Sequence, residues 1–415
     1  MTYSETRDNE QLSHLDDAIR SFISRYNSNP TSSNRRTIIL FPGGLGSQLL
    51  RAMTPEPEGL PYFYTTLWID YSIKYRAAFD LQMQGDMDHE QHLVIADGPI
   101  DFDIIRPYEG FIKWCNANQI DYFIFGWDWR RDPKLIVSFF LDTFLPMFRE
   151  RVRSSCRPDP LQNFSLVGHS FGGMIVKMIL NRSNNPFVQL MHRAVTVASP
   201  FYGYAGQLPR YFVGDPYLNP FYSKAAITRV VSSLAAGYTL LFLDEATYRR
   251  DGAALAADPD YPLLSYPIVD AATGMIADPY NPQSNAENVR YPQNYGFDML
   301  SVSSGKLICQ QVAAELDPAV NSKFFNFRGV QVSNGAAINE TVNNQTWDWI
   351  TPNFDAETDA CPIIDYLGPG DGTLPAWSTR LVTTPGANVR TLRGDVDHMY
   401  MMSNDLVLDE LLKVI

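Results

Sequence analysis

Cysteine is scarce in this chain, with four residues in 415. They stand far apart, at Cys115, Cys156, Cys309 and Cys361, and no C-x-x-C spacing occurs. That argues against a thiolate zinc site and leaves free buried thiols as the expectation, with a Cys309–Cys361 disulfide as the alternative. Positive charge is outnumbered: 33 Lys and Arg face 46 Asp and Glu, for a net charge of −13. Nucleic acids and anionic lipid surfaces both require a basic face, so neither is an expected partner. Long apolar runs are missing as well. The longest, Ala225 to Leu243, is interrupted by Thr228, Arg229, Ser232 and Ser233. It reads as a buried or amphipathic helix, and stable membrane insertion is not expected. The first residues, MTYSETRDNEQ, show neither a basic n-region nor an apolar h-region. The expectation is a cytoplasmic or otherwise soluble protein, with no signal peptide visible. Phosphate loops are absent: there is no G-K-[ST], and no G-x-G-x-x-G followed by an acidic residue. His89-Glu90-Gln91-His92, near Asp86 and Asp88, has ligand residue types but no zinc spacing. It reads as a loop before a strand at His92 to Ala96. No metal and no organic cofactor are expected.

What is present is organised around Asn163 to Met174, NFSLVGHSFGGM. A short apolar run, Phe164 to Val167, meets Gly168-His169-Ser170-Phe171-Gly172, and an amphipathic segment follows to Leu180. Strand, sharp turn and helix with a serine at the apex describe the nucleophile elbow of an α/β-hydrolase. Ser170 must project above the sheet. Gly168 and Gly172 leave no side chain where strand and helix crowd each other. The helix behind Ser170 aims its first N–H groups at a developing oxyanion.

The surrounding pattern supports a mostly parallel central sheet with helices on both faces. Asn9 to Tyr26 has apolar residues at helical spacing, and Asn27 to Arg36 is a polar linker. The strand Thr37 to Phe41 runs into Pro42-Gly43-Gly44-Leu45-Gly46-Ser47-Gln48-Leu49, read as a glycine-rich loop, where this fold places its second oxyanion donor. Leu60 to Phe79 is rich in aromatics and reads as packing or as a flap near a cleft. Pro107 to Ala117 reads as a helix, Asp121 to Trp127 as a strand, Asp128 to Pro133 as an ion-pair knot or part of the site, and Leu135 to Ser154 as a helix. His192 to Ala198 is a further strand. The alternation then breaks. Tyr204 to Asn321 holds the apolar helix and a Pro- and Tyr-rich stretch from Ala256 to Gly296, and reads as an inserted cap or lid. Strands are expected again at Lys323 to Val330, Ile363 to Leu367 and Asn388 to Arg393. A last helix starts near Ser403 or Asn404. The expected organisation is thus 1–36, an N-terminal helix and linker; 37–203, the first part of the hydrolase core; 204–321, the cap; and 322–415, the second part of the core.

A serine hydroxyl needs a base, and the base needs an orienting carboxylate. In this fold the chain order is Ser, then Asp or Glu, then His. Of six histidines, His14, His89, His92, His169, His192 and His398, only His398 lies late enough. Asp371, in the turn Gly370-Asp371-Gly372, is the candidate acid, ahead of Asp365 within a strand and of Asp395 and Asp397 beside the histidine. His169 reads as packing in the elbow. The candidate oxyanion donors are the N–H groups of Phe171 and Gly44.

At six places the chain resembles the lecithin:cholesterol acyltransferase and lysosomal phospholipase family: PGGLGSQL (Pro42 to Leu49), WDWRRDP (Trp127 to Pro133), VGHSFGG (Val167 to Gly173), ASPFYG (Ala198 to Gly203), GDGTLP (Gly370 to Pro375) and DHMYMMSN (Asp397 to Asn404). The order is the family's, over nearly the whole chain. The resemblance implies an α/β-hydrolase with a cap and lid acting on acyl esters, with Ser170, Asp371 and His398 in the catalytic roles and Gly44 as second oxyanion donor. A lid disulfide typical of that family has no counterpart, since no cysteine lies between Leu50 and Lys113. The expected partner is a small-molecule or lipid ester. The rival readings are acyl transfer to an alcohol, a lactone or natural-product ester as substrate, and a catalytically silent binding protein.

Overall fold

The structure, a computed structural model, describes residues 3–28, 35–53, 63–68, 81–84, 87–88, 93–102, 105–204, 206–214, 224–271, 274–280, 298–347 and 363–415. In chain order its strands are β1 (Thr37–Phe41), β2 (Ser47–Met53), β3 (Phe63–Trp68), β4 (Met83–Gln84), β5 (Met87–Asp88), β6 (Leu93–Pro99), β7 (Asp121–Ile124), β8 (Phe164–His169), β9 (Arg193–Val197), β10 (Ile268–Asp270), β11 (Phe324–Ser333), β12 (Ala336–Ala337), β13 (Thr341–Trp347), β14 (Ile363–Gly368) and β15 (Val389–Gly394).

β1 and β8 are buried along their whole length, as strands covered on both faces must be. The central sheet runs β15-β11-β9-β8-β1-β7, every pair parallel, with β12 folded back on the end of β11. Alternate residues of β1 feed two separate cores. Ile39 and Phe41 join a cluster with Phe123, Phe125 and the elbow helix Phe171–Leu180. Ile38 and Leu40 join another with Phe111 and the final helix Asp405–Val414. Helices therefore cover both faces, and the fold is that of an α/β-hydrolase. The N-terminal helix Tyr3–Ser28 buries Leu15, Ile19, Phe22 and Tyr26 in the first core, the face its spacing anticipates.

Register positions the site. Phe41 lies opposite Gly168, and His169 opposite Val197, so the loops after β1, β8 and β9 leave the sheet side by side. The pairing of β11 with β15 ends at Gln331 and Gly394. Parallel sheets gather their binding loops at these carboxyl ends.

Several elements differ from the sequence reading. Ser47–Met53 is a strand rather than loop, in an antiparallel sheet of order β3-β2-β6. The Leu135–Ser154 helix holds a π-helical segment, Phe139–Phe144, where Leu145 N–H bonds to Phe140 C=O. Pro146, which has no N–H to offer the turn before it, accounts for the change of pitch. Ala225–Leu243 is two pieces: the helix Lys224–Ser233, then a 3₁₀ run, Ala235–Leu240, with Leu234 extended between them. The segment read as irregular carries long helices, Glu245–Ala256 and Met299–Ala313, each capped by an aspartate side chain, Asp244 and Asp298. Ile363–Gly368 is a strand, but it pairs antiparallel with β13 in a separate mixed sheet, where β13 also pairs in parallel with β10, outside the central one. Cys115, Cys156 and Cys309 are free buried thiols. Cys361, His89 to His92, most of Leu60–Phe79 and residues 281–297 of the Pro- and Tyr-rich stretch lie outside the described residues. Among the described residues no helix is long and apolar enough to cross a membrane.

Candidate active site

The elbow is built by crowding. A Cβ on Gly168 would lie 2.5 Å from Gly173 Cα, and one on Gly172 2.2 Å from the Phe41 carbonyl oxygen. Glycine at both positions lets the elbow helix start against β1 and β8. Between them Ser170 takes φ 54°, ψ −127°, a conformation non-glycine residues rarely adopt. Its own N–H is tied to the Val197 carbonyl at 2.8 Å. An over-determined strained turn of this kind holds a side chain where an ordinary turn would not.

His398 lies in the loop after β15 and brings its Nε2 to 2.9 Å from Ser170 Oγ. Its Nδ1 lies 2.8 Å from Asp371 Oδ2. Asp371 is fully buried. Its other oxygen, Oδ1, accepts from Thr373 N–H at 3.1 Å and Leu374 N–H at 2.7 Å. The His398 N–H also donates to the Asp371 carbonyl at 3.0 Å. The acid loop is held in turn by Gln331 N–H on the Gly370 carbonyl and by Gly372 N–H on Thr341 Oγ1. Gly372, at φ +87°, makes that turn feasible. The three residues named from the sequence thus lie in one hydrogen-bonded line. Two of the alternative acids, Asp365 and Asp397, are occupied elsewhere. Asp365 accepts from Gln345, and Asp397 accepts from the backbone of Met399 and Tyr400.

Gly44 and Phe171 both line the cavity above Ser170. Among the described residues, neither of their N–H groups donates to a protein acceptor. The loop bearing Gly44 is fastened by indole donors: Trp127 Nε1 to the Pro42 carbonyl at 2.9 Å and Trp68 Nε1 to the Leu45 carbonyl at 2.9 Å. Just beyond that loop, the Ser47 carbonyl accepts from Trp129 Nε1, in the Asp128–Arg131 segment, at 3.2 Å. Arg130 is fully buried, with its guanidinium 2.7 Å from Asp128 and 2.5 Å from Asp88. Burial opposes that charge, but the two carboxylates outweigh it and raise the arginine's pKa. The expected ion-pair knot is present, and Asp88 belongs to it.

His169 is more than packing. Its Nδ1 lies 3.0 Å from the Tyr108 hydroxyl and its Nε2 2.9 Å from the His398 carbonyl. Burial, with His398 adding to it, lowers the His169 pKa to about 3. The sequence reading did not connect Tyr108, because 61 residues separate it from His169. The cavity itself is about 250 Å³ and mostly apolar. Leu45, Trp68 and Ile105 form part of its wall, and Val230, Leu234 and Leu240 come from the segment between Tyr204 and Asn321.

No family model matches the chain, and no curated protein matches it. Among solved structures, the Tle4–Tli4 complex contains a chain similar to this one, with TM-score 0.52 at 12% identity, over 92% of this chain and 99% of that one. This is a likeness of fold. Lipase BlEst2 of Bacillus licheniformis in its mature form gives TM-score 0.35 at 11% identity, over 93% of each chain. An acetylester hydrolase from Corynebacterium glutamicum gives 0.29 at 9%, over 93% of this chain and 87% of that one. The latter two superpose too loosely to bear on the fold.

Proposed function

We propose that this chain is a serine hydrolase of carboxylic esters. The observation that carries the reading is the line from Ser170 Oγ through His398 to the buried Asp371, with contacts of 2.9 and 2.8 Å, on the wall of an apolar cavity. Asp371 accepts from His398 Nδ1–H and so leaves Nε2 free to take the serine proton. Ser170 Oγ attacks the ester carbonyl. The oxyanion is met by the Gly44 and Phe171 N–H groups, and its collapse expels the alcohol, protonated by His398. Water, deprotonated by His398, then attacks the acyl-enzyme and releases the acid. No step calls on a metal or organic cofactor.

The apolar lining favours an ester with a hydrocarbon acyl group, a lipid or a small molecule. The six motifs shared with the lecithin:cholesterol acyltransferase and lysosomal phospholipase family support the same choice. Residues 204–321 act as the cap in this reading, supported by their share of the cavity wall.

The test is fluorophosphonate labelling together with turnover of p-nitrophenyl esters from short to long acyl chains. Labelling at Ser170 and a chain-length optimum are expected, and Ser170→Ala should lose both while keeping its fold. Turnover retained in Ser170→Ala would refute the reading. An ester product formed with added alcohol would identify acyl transfer instead of hydrolysis. A well-folded protein that neither labels nor turns over esters would point to a binding role.

A further inference from the structure

Three contacts join the oxyanion loop to the catalytic histidine without passing through substrate. Gly43 N–H lies 2.7 Å from the Tyr108 hydroxyl oxygen, that oxygen 3.0 Å from His169 Nδ1, and His169 Nε2 2.9 Å from the His398 carbonyl. Proton positions follow from the partners. A carbonyl oxygen only accepts, so His169 Nε2 carries a hydrogen. His169 is buried and neutral, with its pKa lowered to about 3, so Nδ1 has none and must accept. Tyr108 is fully buried, and burial raises its pKa, so the hydroxyl keeps its proton. It donates that proton to Nδ1 and takes the Gly43 N–H on its oxygen. The chain has one consistent direction: Gly43 to Tyr108 to His169 to the His398 carbonyl.

Its ends are the two parts of the machinery that must agree in position. Gly43 immediately precedes Gly44, and a Cβ on Gly43 would stand 3.0 Å from Ser170 Cβ. The Tyr108 hydroxyl also fits inside the Gly43–Gly46 turn, where a Cβ on Gly46 would come within 2.8 Å of it. We propose that Tyr108 and His169 are positioning residues, a neutral hydrogen-bond relay that sets the Gly44 N–H at the oxyanion and holds the backbone of His398 in register with it. The inference rests on the ester-hydrolase reading above. Neutrality suits the role. The His169 and His398 rings lie 5.2 Å apart, and a charged His169 would repel the imidazolium that forms on His398 during attack.

The test uses the full chain, with competent sites counted by fluorophosphonate titration so that rates are per active site. Tyr108→Phe keeps the ring and removes the relay. Its per-site kcat should fall about 10–100-fold with KM within about twofold, since a displaced donor weakens the transition state more than the bound ester. The Ki of an alkyl boronic acid, whose tetrahedral adduct occupies the oxyanion site, should rise in step with the loss in kcat/KM. His169→Asn and His169→Leu form a second pair with the same branched side-chain skeleton. The asparagine oxygen can still accept from Tyr108, so His169→Asn should retain about fivefold or more per-site kcat over His169→Leu. A merely structural role would lower the titrated fraction and leave per-site kcat and boronate binding unchanged. That result, or equal rates for the asparagine and leucine variants, overturns the proposal. A wild-type protein that turns over no ester removes the underlying reading as well. Wild-type turnover with an unaffected Tyr108→Phe removes only the relay.

Discussion

Asp371→Asn changes one atom of a buried side chain, and the structure says which way the new amide must face. Oδ1 of Asp371 accepts from two backbone donors, Thr373 and Leu374 N–H. An amide NH₂ turned toward those donors would clash with both, so the asparagine oxygen stays there. Its nitrogen therefore faces His398 Nδ1, 2.8 Å away in the native protein. A donor at that point forces Nδ1 to accept and places the ring hydrogen on Nε2, against Ser170 Oγ. The base then holds the wrong tautomer. The aspartate-to-asparagine change in the Ser-His-Asp template lowers kcat by about 10⁴, and a loss of about 10³–10⁴, or about 4–5.5 kcal/mol in ΔG‡, is expected here. Initial rates with the best p-nitrophenyl ester, normalised by titrated sites, measure it, and circular dichroism checks the fold. Asp397→Asn is the control, expected within about twofold of wild type because Asp397 accepts only from local backbone. A loss under tenfold in Asp371→Asn would refute both the tautomer argument and the role given to the acid.

Two further expectations concern stability. Arg130→Leu leaves Asp88 and Asp128 buried without their shared cation. Urea denaturation should show a loss of about 3–5 kcal/mol, and a loss below 1 kcal/mol would mean the knot is dispensable. Lys177 is buried in the elbow helix, its ammonium bonded to Asn181 Oδ1 and the Ala314 carbonyl. Burial lowers its pKa from 10.5 to about 7. The unfolded chain therefore binds more protons between these values, and this residue's contribution to stability rises with pH through that window. Relative to Lys177→Met, which has no such titration, wild type should gain about 3 kcal/mol between pH 7 and pH 10. Parallel pH curves for the two proteins would refute it.

Residues whose chemistry is local were legible from the sequence. The elbow could be read because strand, Gly168, Ser170, Gly172 and helix are contiguous, and chain order singled out His398. Ser47–Met53 was not legible as a strand. Gln48, Leu49, Leu50, Arg51, Ala52 and Met53 are good helix formers, and pairing with β3 and β6 overrides that preference. The apolar run at Ile363–Leu367 was legible as a strand but not as one outside the central sheet, since pairing partners are set by distant residues. Its exposed pattern, with Ile364, Tyr366 and Leu367 all about half exposed, is the sign that it never entered a two-sided core. The capped helices Glu245–Ala256 and Met299–Ala313 follow Asp244 and Asp298, single-residue start signals on either side of the Pro- and Tyr-rich stretch that dominates this part of the chain. The Tyr108–His169 relay needs two residues brought together by the fold.

In the ester-hydrolase reading proposed above, the placement of β14 divides responsibility for proton transfer between two sheets with separate support. Nucleophile and base stand at the ends of central strands, whereas the acid loop emerges from the appended sheet and meets the main frame at the Gln331–Gly370 bond and the hydrogen bond beneath His398. Loosening β13 or β14 would therefore detune the acid while the serine still sits in its strained turn. Such variants would keep the serine in place but lose the base that activates it, and with it turnover. In this architecture the placement of the serine and its activation can be altered by substitutions in different sheets.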